Sequence, residues 1–165
     1  MKIDKLWNGL KRIANGDYVL EGDLISEETI EIDLNDRFVV RGRIQTKKSI
    51  VVRCGIEAGE GIKAGCGIEA GWGIKAGCGI EAGWGIKAGC GIEAGWGIEA
   101  GWGIEAGEGI KAEKFIDVQK RIFAGISVYR TSRDCDKTIR CAELRNGEIC
   151  YGDLTLTKEG KPDEG

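Results

Sequence analysis

The chain contains no histidine. That removes the commonest general base, the Ser/His and Cys/His nucleophile pairs and the usual zinc sites. None of the seven cysteines forms a Cys-x-x-Cys pair. Their odd number is expected of plain reduced thiols in a cytoplasmic protein. Glycines five apart do not occur in the central region, so neither the Walker spacing nor the dinucleotide fingerprint is present. Residues 1–15 have the amphipathic pattern of a folded segment, not the apolar run of a signal peptide. The formal net charge of −3 argues against direct nucleic-acid binding. These absences predict a non-enzymatic protein with no catalytic residue, cofactor, metal or membrane segment. The 165 residues, 42% hydrophobic and 31% charged, suffice for one domain with its own core.

What is present is a repeat. From Gly55 the chain reads Gly-Ile-(Glu or Lys)-Ala-Gly-x nine times without a break, and a tenth copy fades at Glu113. On a helix, residues six apart are separated by about 600° of rotation, which would scatter the isoleucines around the axis. Collagen needs glycine at every third position, and here the glycine gaps alternate between four and two. A charge in every hexad excludes burial in lipid. A strand period of two fits: Ile, Ala and the sixth residue share one side, the charge and both glycines the other.

Parallel coils of such strands, three hexads to a coil, make a β-helix. The charges choose the coil length. A coil of 18 stacks Glu57, Lys75, Glu93 and Lys111 with alternating sign, and Glu69, Lys87 and Glu105 likewise. A coil of 12 would stack Glu57 on Glu69 and Glu81, where like charges repel. The third column, Lys63, Glu81 and Glu99, ends in a like pair. Counting by six from Ile56 gives Ile50, Ile44, Phe38, Ile32, Ser26 and Leu20 backwards, then Ile116, Ile122 and Val128 beyond the array; only Ser26 is polar. The expectation is a column of roughly six coils, about 30 Å tall.

The predicted architecture is therefore all-β, a parallel β-helix solenoid. Residues 1–17 form an N-terminal capping helix, with Ile3, Leu6, Leu10 and Ile13 at helical spacing and Gly16 as its stop. Residues 18–128 form the β-helix, with its regular repeats at 55–112. Residues 129–157 form a C-terminal β-hairpin module that caps the column or dimerises, turning at Arg145-Asn146-Gly147. Residues 158–165 are a loose tail.

The variable sixth position is the most informative chemically: Cys54, Glu60, Cys66, Trp72, Cys78, Trp84, Cys90, Trp96, Trp102, Glu108 and Lys114. A position that accepts Trp, Cys, Glu and Lys belongs at half-exposed corners. There the Trp rings either cover the glycine turns of neighbouring coils or anchor a partner. The candidate partner-binding residues are Trp72, Trp84, Trp96, Trp102, Glu60 and Glu108. Glu93, Glu99 and Glu105 fall on three different faces, so they do not make a catalytic dyad. An enzymatic alternative would use Tyr129, Arg130, Asp134 and Cys135, which a polar loop explains as readily.

The hexads GIEAGW and GIKAGC, with the lead-in VVRGRIQTKKSIVV at residues 39–52, are similar to bactofilin-like β-helical proteins, bacterial scaffolds that polymerise end to end. They also resemble glycine-rich repeat proteins of Gram-positive bacteria and their phages. Hexapeptide-repeat acyltransferases share the period, but their base is a histidine. The resemblance implies two functions. One is a protein-binding rod, in its phage form an inhibitor of a host defence complex of the anti-CRISPR kind. The other is a self-assembling scaffold. The implied partner is a protein or a second copy, as a homodimer through the C-terminal module.

Overall fold

The computed structural model describes residues 1–5, 7, 9–126 and 136–157. Among them are 22 strands and no helix, hence no helix long and apolar enough to cross a membrane. The strands wind into a parallel β-solenoid of about seven turns. Ile56 pairs with Ile74, Ile62 with Ile80 and Ile68 with Ile86, so the coil is 18 residues.

Three faces result. The first carries Leu24–Ser26, Ile44–Thr46, Ile62–Ala64, Ile80–Ala82 and Gly97–Ala100. The second carries Lys2–Ile3, Ile30–Ile32, Ile50–Val52, Ile68–Ala70, Ile86–Ala88 and Ile104–Ala106. The third runs from Lys11–Arg12 and Tyr18–Leu20 through Ile56–Ala58, Ile74–Ala76 and Ile92–Ala94 to Ile110–Ala112, Thr138–Cys141 and Asp153–Leu156. The long strand Phe115–Ala124 turns the corner between the first two faces, pairing with Gly97–Ala100 and then with Ile104–Ala106.

Isoleucine and alanine point inward on every rung of the array. Ile56 to Ile110 are at most 1% exposed and the alanines at most 4%. The narrow interior admits one large and one small aliphatic side chain per strand, which is why the hexad repeats that pair.

The turn glycine is set by close approach, not by dihedral angle. No array glycine has a positive φ. A Cβ on Gly77, however, would stand 2.1 Å from the carbonyl oxygen of Gly59 in the coil beneath.

Below Phe38 the register departs from the count by six. Phe38 pairs with Tyr18, Ile44 with Leu24 and Ile50 with Ile30, each 20 apart. The residues in the isoleucine phase are thus Ile30, Leu24 and Tyr18, not Ile32, Ser26 and Leu20. The two extra residues lie in the corner 33–37, where Leu34 is buried. Ser26 occupies the alanine phase beside Thr46, so it does not break the pattern.

The capping helix does not form. Residues 2–3 are a strand on the open edge of Ile30–Ile32: Glu31 donates its N–H to the Met1 carbonyl at 2.8 Å and Asp33 to that of Ile3 at 2.9 Å. Lys11–Arg12 then runs antiparallel to Tyr18–Val19. A helix would satisfy its own backbone and leave that sheet edge bare; a strand satisfies both. Ile3 is fully buried, Trp7 and Leu10 pack against the core, and Ile13 is exposed. Leu6 lies outside the described residues.

The C-terminal hairpin is likewise replaced by winding. Thr138–Cys141 pairs in parallel with Ile110–Ala112, its Ile139 opposite Ile110. Glu143–Tyr151 runs parallel to Phe115–Ala124 around the same corner, with Gly147 at positive φ where it bends. Asp153–Leu156 lies on Thr138–Cys141. The C-terminal module is therefore the last coil of the column. Val128, residues 129–135 and the tail 158–165 lie outside the described residues.

Candidate functional site: three tryptophan-bearing edges

Each hexad ends at a corner of the triangular column, and backbone hydrogen bonds fix what stacks there. On the edge between the first and second faces, Trp84 donates to the Cys66 carbonyl at 3.1 Å and Trp102 to that of Trp84 at 2.8 Å. Between the second and third faces, Trp72 sits on Cys54, Cys90 on Trp72 and Glu108 on Cys90. Between the third and first, Cys78 sits on Glu60, Trp96 on Cys78 and Lys114 on Trp96. The six candidate residues therefore divide among three edges: Trp84 with Trp102, Trp72 with Glu108, and Glu60 with Trp96.

Four of the five tryptophans are more than half exposed: Trp72 52%, Trp84 69%, Trp96 56% and Trp102 68%. The corner position is half exposed as expected, with one exception. Cys54 is buried, and by register it stands on Leu34 in the lengthened corner; both belong to the core. Burial pushes its thiol up to about 11 and raises that of Cys141, so neither is a nucleophile at neutral pH. No disulfide joins the six described cysteines, and Cys78 and Cys150 are exposed.

The flat faces carry the charge ladders. Lys63 meets Glu81 at 2.8 Å, and Glu93 lies 3.9 Å from Lys75 and 3.7 Å from Lys111. Lys87 is 3.9 Å from Glu105. Glu81 and Glu99 are neighbours as expected, and Asp117 continues that acidic run. Beside each ladder the outer glycines leave a shallow groove, overhung by Trp72, Trp102 or Trp96 on the third, second and first faces. The grooves hold about 510, 540 and 340 Å³, so none of the three singles out a site. Among the described residues there is no cluster of three or more Cys, Asp or Glu that could hold a metal.

Three contacts escaped the sequence reading. Arg37 joins Asp17 at 2.6 Å and Glu57 at 2.9 Å, tying three coils together at the start of the third face. The Arg37 guanidinium holds the Asp17 carboxyl below its ordinary value. Near the other end, Arg145 stacks 3.7 Å over the Phe115 ring, and that ring covers Gly97, where a Cβ would meet it at 2.5 Å. The Lys114 ammonium stands 5.8 Å from the centre of a Trp96 ring. Phe115, standing where a hexad would open with glycine, was the only signal of this cluster. Tyr129, Arg130, Asp134 and Cys135 are outside the described residues.

By its fold and edges the protein is a parallel β-helix with aromatic corners. No family model matches the chain, and no curated protein or solved structure matches it either.

Proposed function

We propose that the protein is a non-enzymatic binding rod, and that a protein partner docks along the edge carrying Trp84 and Trp102. The observation that carries this reading is their exposure, 69% and 68% on successive coils of one edge. Leaving two indoles in water on a rigid support forgoes the burial that would stabilise the fold. Exposed aromatic anchors on preorganised backbone are what interface cores are built from. The coils beneath are fixed by parallel pairing on both sides, so the edge loses little entropy on binding. The second face, with its groove and Phe123, lies beside the pair and extends the surface. In its specific form, suggested by the resemblance to phage repeat proteins, the partner is a subunit of a host defence complex and the rod inhibits it. Trp72, Trp96, Glu60 and Glu108, on the other edges, supply secondary contacts.

The test is co-purification of the tagged chain from lysate of its native host, beside a Trp84→Ala/Trp102→Ala variant and a Trp72→Ala control. A stoichiometric protein that the double variant loses at least about tenfold, and that Trp72→Ala weakens by no more than about twofold, is the expected result. Recovery that ignores the double variant, or no stoichiometric protein at all, removes the reading. A second reading is self-association, which the open strands at the C-terminal end favour as a closed pair and not as the end-to-end filament of a bactofilin-like scaffold.

A further inference from the structure

We propose that the C-terminal end of the column is a dimer interface, where the last coil docks on the last coil of a second copy about a two-fold axis across the column. This surface is separate from the tryptophan edges, and the proposal does not rest on them.

The last coil is unfinished in two respects. Among the described residues, Glu143–Tyr151 and Asp153–Leu156 each have a strand neighbour on one side only, so alternate backbone N–H and C=O groups point off the end. Leu144, Ile149, Leu154 and Leu156 occupy inward positions, registered on Ile116, Ile122, Ile139 and Cys141. Those four partners are fully buried, whereas Leu154 is 41% exposed and Leu156 58%. The apolar interior thus reaches water at this end.

The eight residues after Thr157 do not supply an apolar cover. Residues 158–165 read Lys-Glu-Gly-Lys-Pro-Asp-Glu-Gly, without an aliphatic or aromatic side chain beyond the lone proline. The opposite end of the column does not fit either. Its edge strands are only two or three residues long, and its inward residues Ile3 and Leu24 are covered. Head-to-tail stacking would leave the open strands without an edge of matching length.

The end is, in contrast, its own complement. A two-fold axis through Thr155 sets Asp153–Leu156 antiparallel to itself, with Leu154 opposite Leu156 of the second copy. The same axis exchanges the first and second faces, so the open edge of residues 143–146 lies over that of 148–151 in the second copy. On the third face, inward leucines meet inward leucines. The end of a narrow column is small, so the contact belongs to the weaker class of interfaces, with concentration-dependent association.

Sedimentation equilibrium on the full chain over about a hundredfold range of concentration reads this directly. The expected limit is twice the 17.8 kDa chain mass. Leu154→Lys/Leu156→Lys should raise the dissociation constant at least about a hundredfold, with the β-sheet circular dichroism unchanged. If that variant does not fold, Thr155→Cys on a Cys78→Ser/Cys150→Ser background decides: mild oxidation should give covalent dimers that the background chain does not form. A 17.8 kDa species at every concentration, a dimer indifferent to the lysines, or masses climbing past two chains each overturn the proposal.

Discussion

Gly77 and Gly79 flank Cys78 and look interchangeable in the hexad, but the coils treat them differently. A Cβ at Gly77 would lie 2.1 Å from the Gly59 oxygen, while at Gly79 the nearest atom is the Gly97 oxygen at 3.4 Å. Gly77→Ala should cost about 3 kcal/mol or more in urea unfolding, because backbone on both coils must move. Gly79→Ala should stay within about 1 kcal/mol of the parent. Equal effects would mean that the corner is not packed as described. Asp17 offers a second test at this scale. Its carboxyl is held below its ordinary value by Arg37, so the contribution is present above the unfolded-state value near pH 4 and fades as pH falls through the folded one. Asp17→Asn should therefore destabilise by about 1–3 kcal/mol at neutral pH. The gap to the parent should close below about pH 4, as read from unfolding midpoints across pH.

Single strands show what a hydrophobic period can and cannot announce. In the array the period of six allows one phase, and the sequence places every inward residue correctly. In the early coils both inward positions of a strand are large: Ile30 and Ile32 are each buried. A shift of two residues then leaves an apolar residue in either phase, so the extra pair at 33–37 was invisible, and Ser26 was its only trace. The N-terminal segment failed for a different reason. Its spacing fits a helix, but the open edge of Ile30–Ile32 offers backbone partners that local periodicity does not encode. This strand reading makes a prediction that a helical lid would not. Ile3→Ala should cost about 2–5 kcal/mol, as for a buried core residue, and Ile13→Ala close to nothing. On an amphipathic helix the two would face the core together and cost alike. The corner tryptophans were legible as candidates because no interior position tolerates Trp, Cys and Glu in turn. Their division among three edges followed from the 18-residue coil. The Arg145–Phe115 stack and the open last coil were not legible, because strand order after residue 126 depends on which edge is free.

Across the whole column, stability adds up from coil to coil through contacts between neighbours. The hexads share one core, so excising whole hexads should leave a solenoid whose upper part is simply rotated by one or two faces. What changes is the charge ladder at the junction. In the parent, Glu57, Lys63 and Glu69 stack under Lys75, Glu81 and Lys87, all opposite in sign. Removing residues 73–78 would seat Glu81, Lys87 and Glu93 on them, and all three contacts become like-charged. Removing residues 73–84 would seat Lys87, Glu93 and Glu99 there, leaving only Glu69 under Glu99 unfavourable. The longer deletion loses more core yet keeps the better ladder. Each exposed contact contributes less than about 1 kcal/mol, so the difference between three like pairs and one is on the order of 1–2 kcal/mol. The two deletions should accordingly lie closer in stability than their lengths suggest at low ionic strength. They should separate, with the shorter deletion gaining, as salt approaches about 1 M and screens the ladders. Circular dichroism melts of the pair across salt read this out. A difference that does not move with salt would mean that the alternation of Glu and Lys along the repeat plays no part in setting the coil.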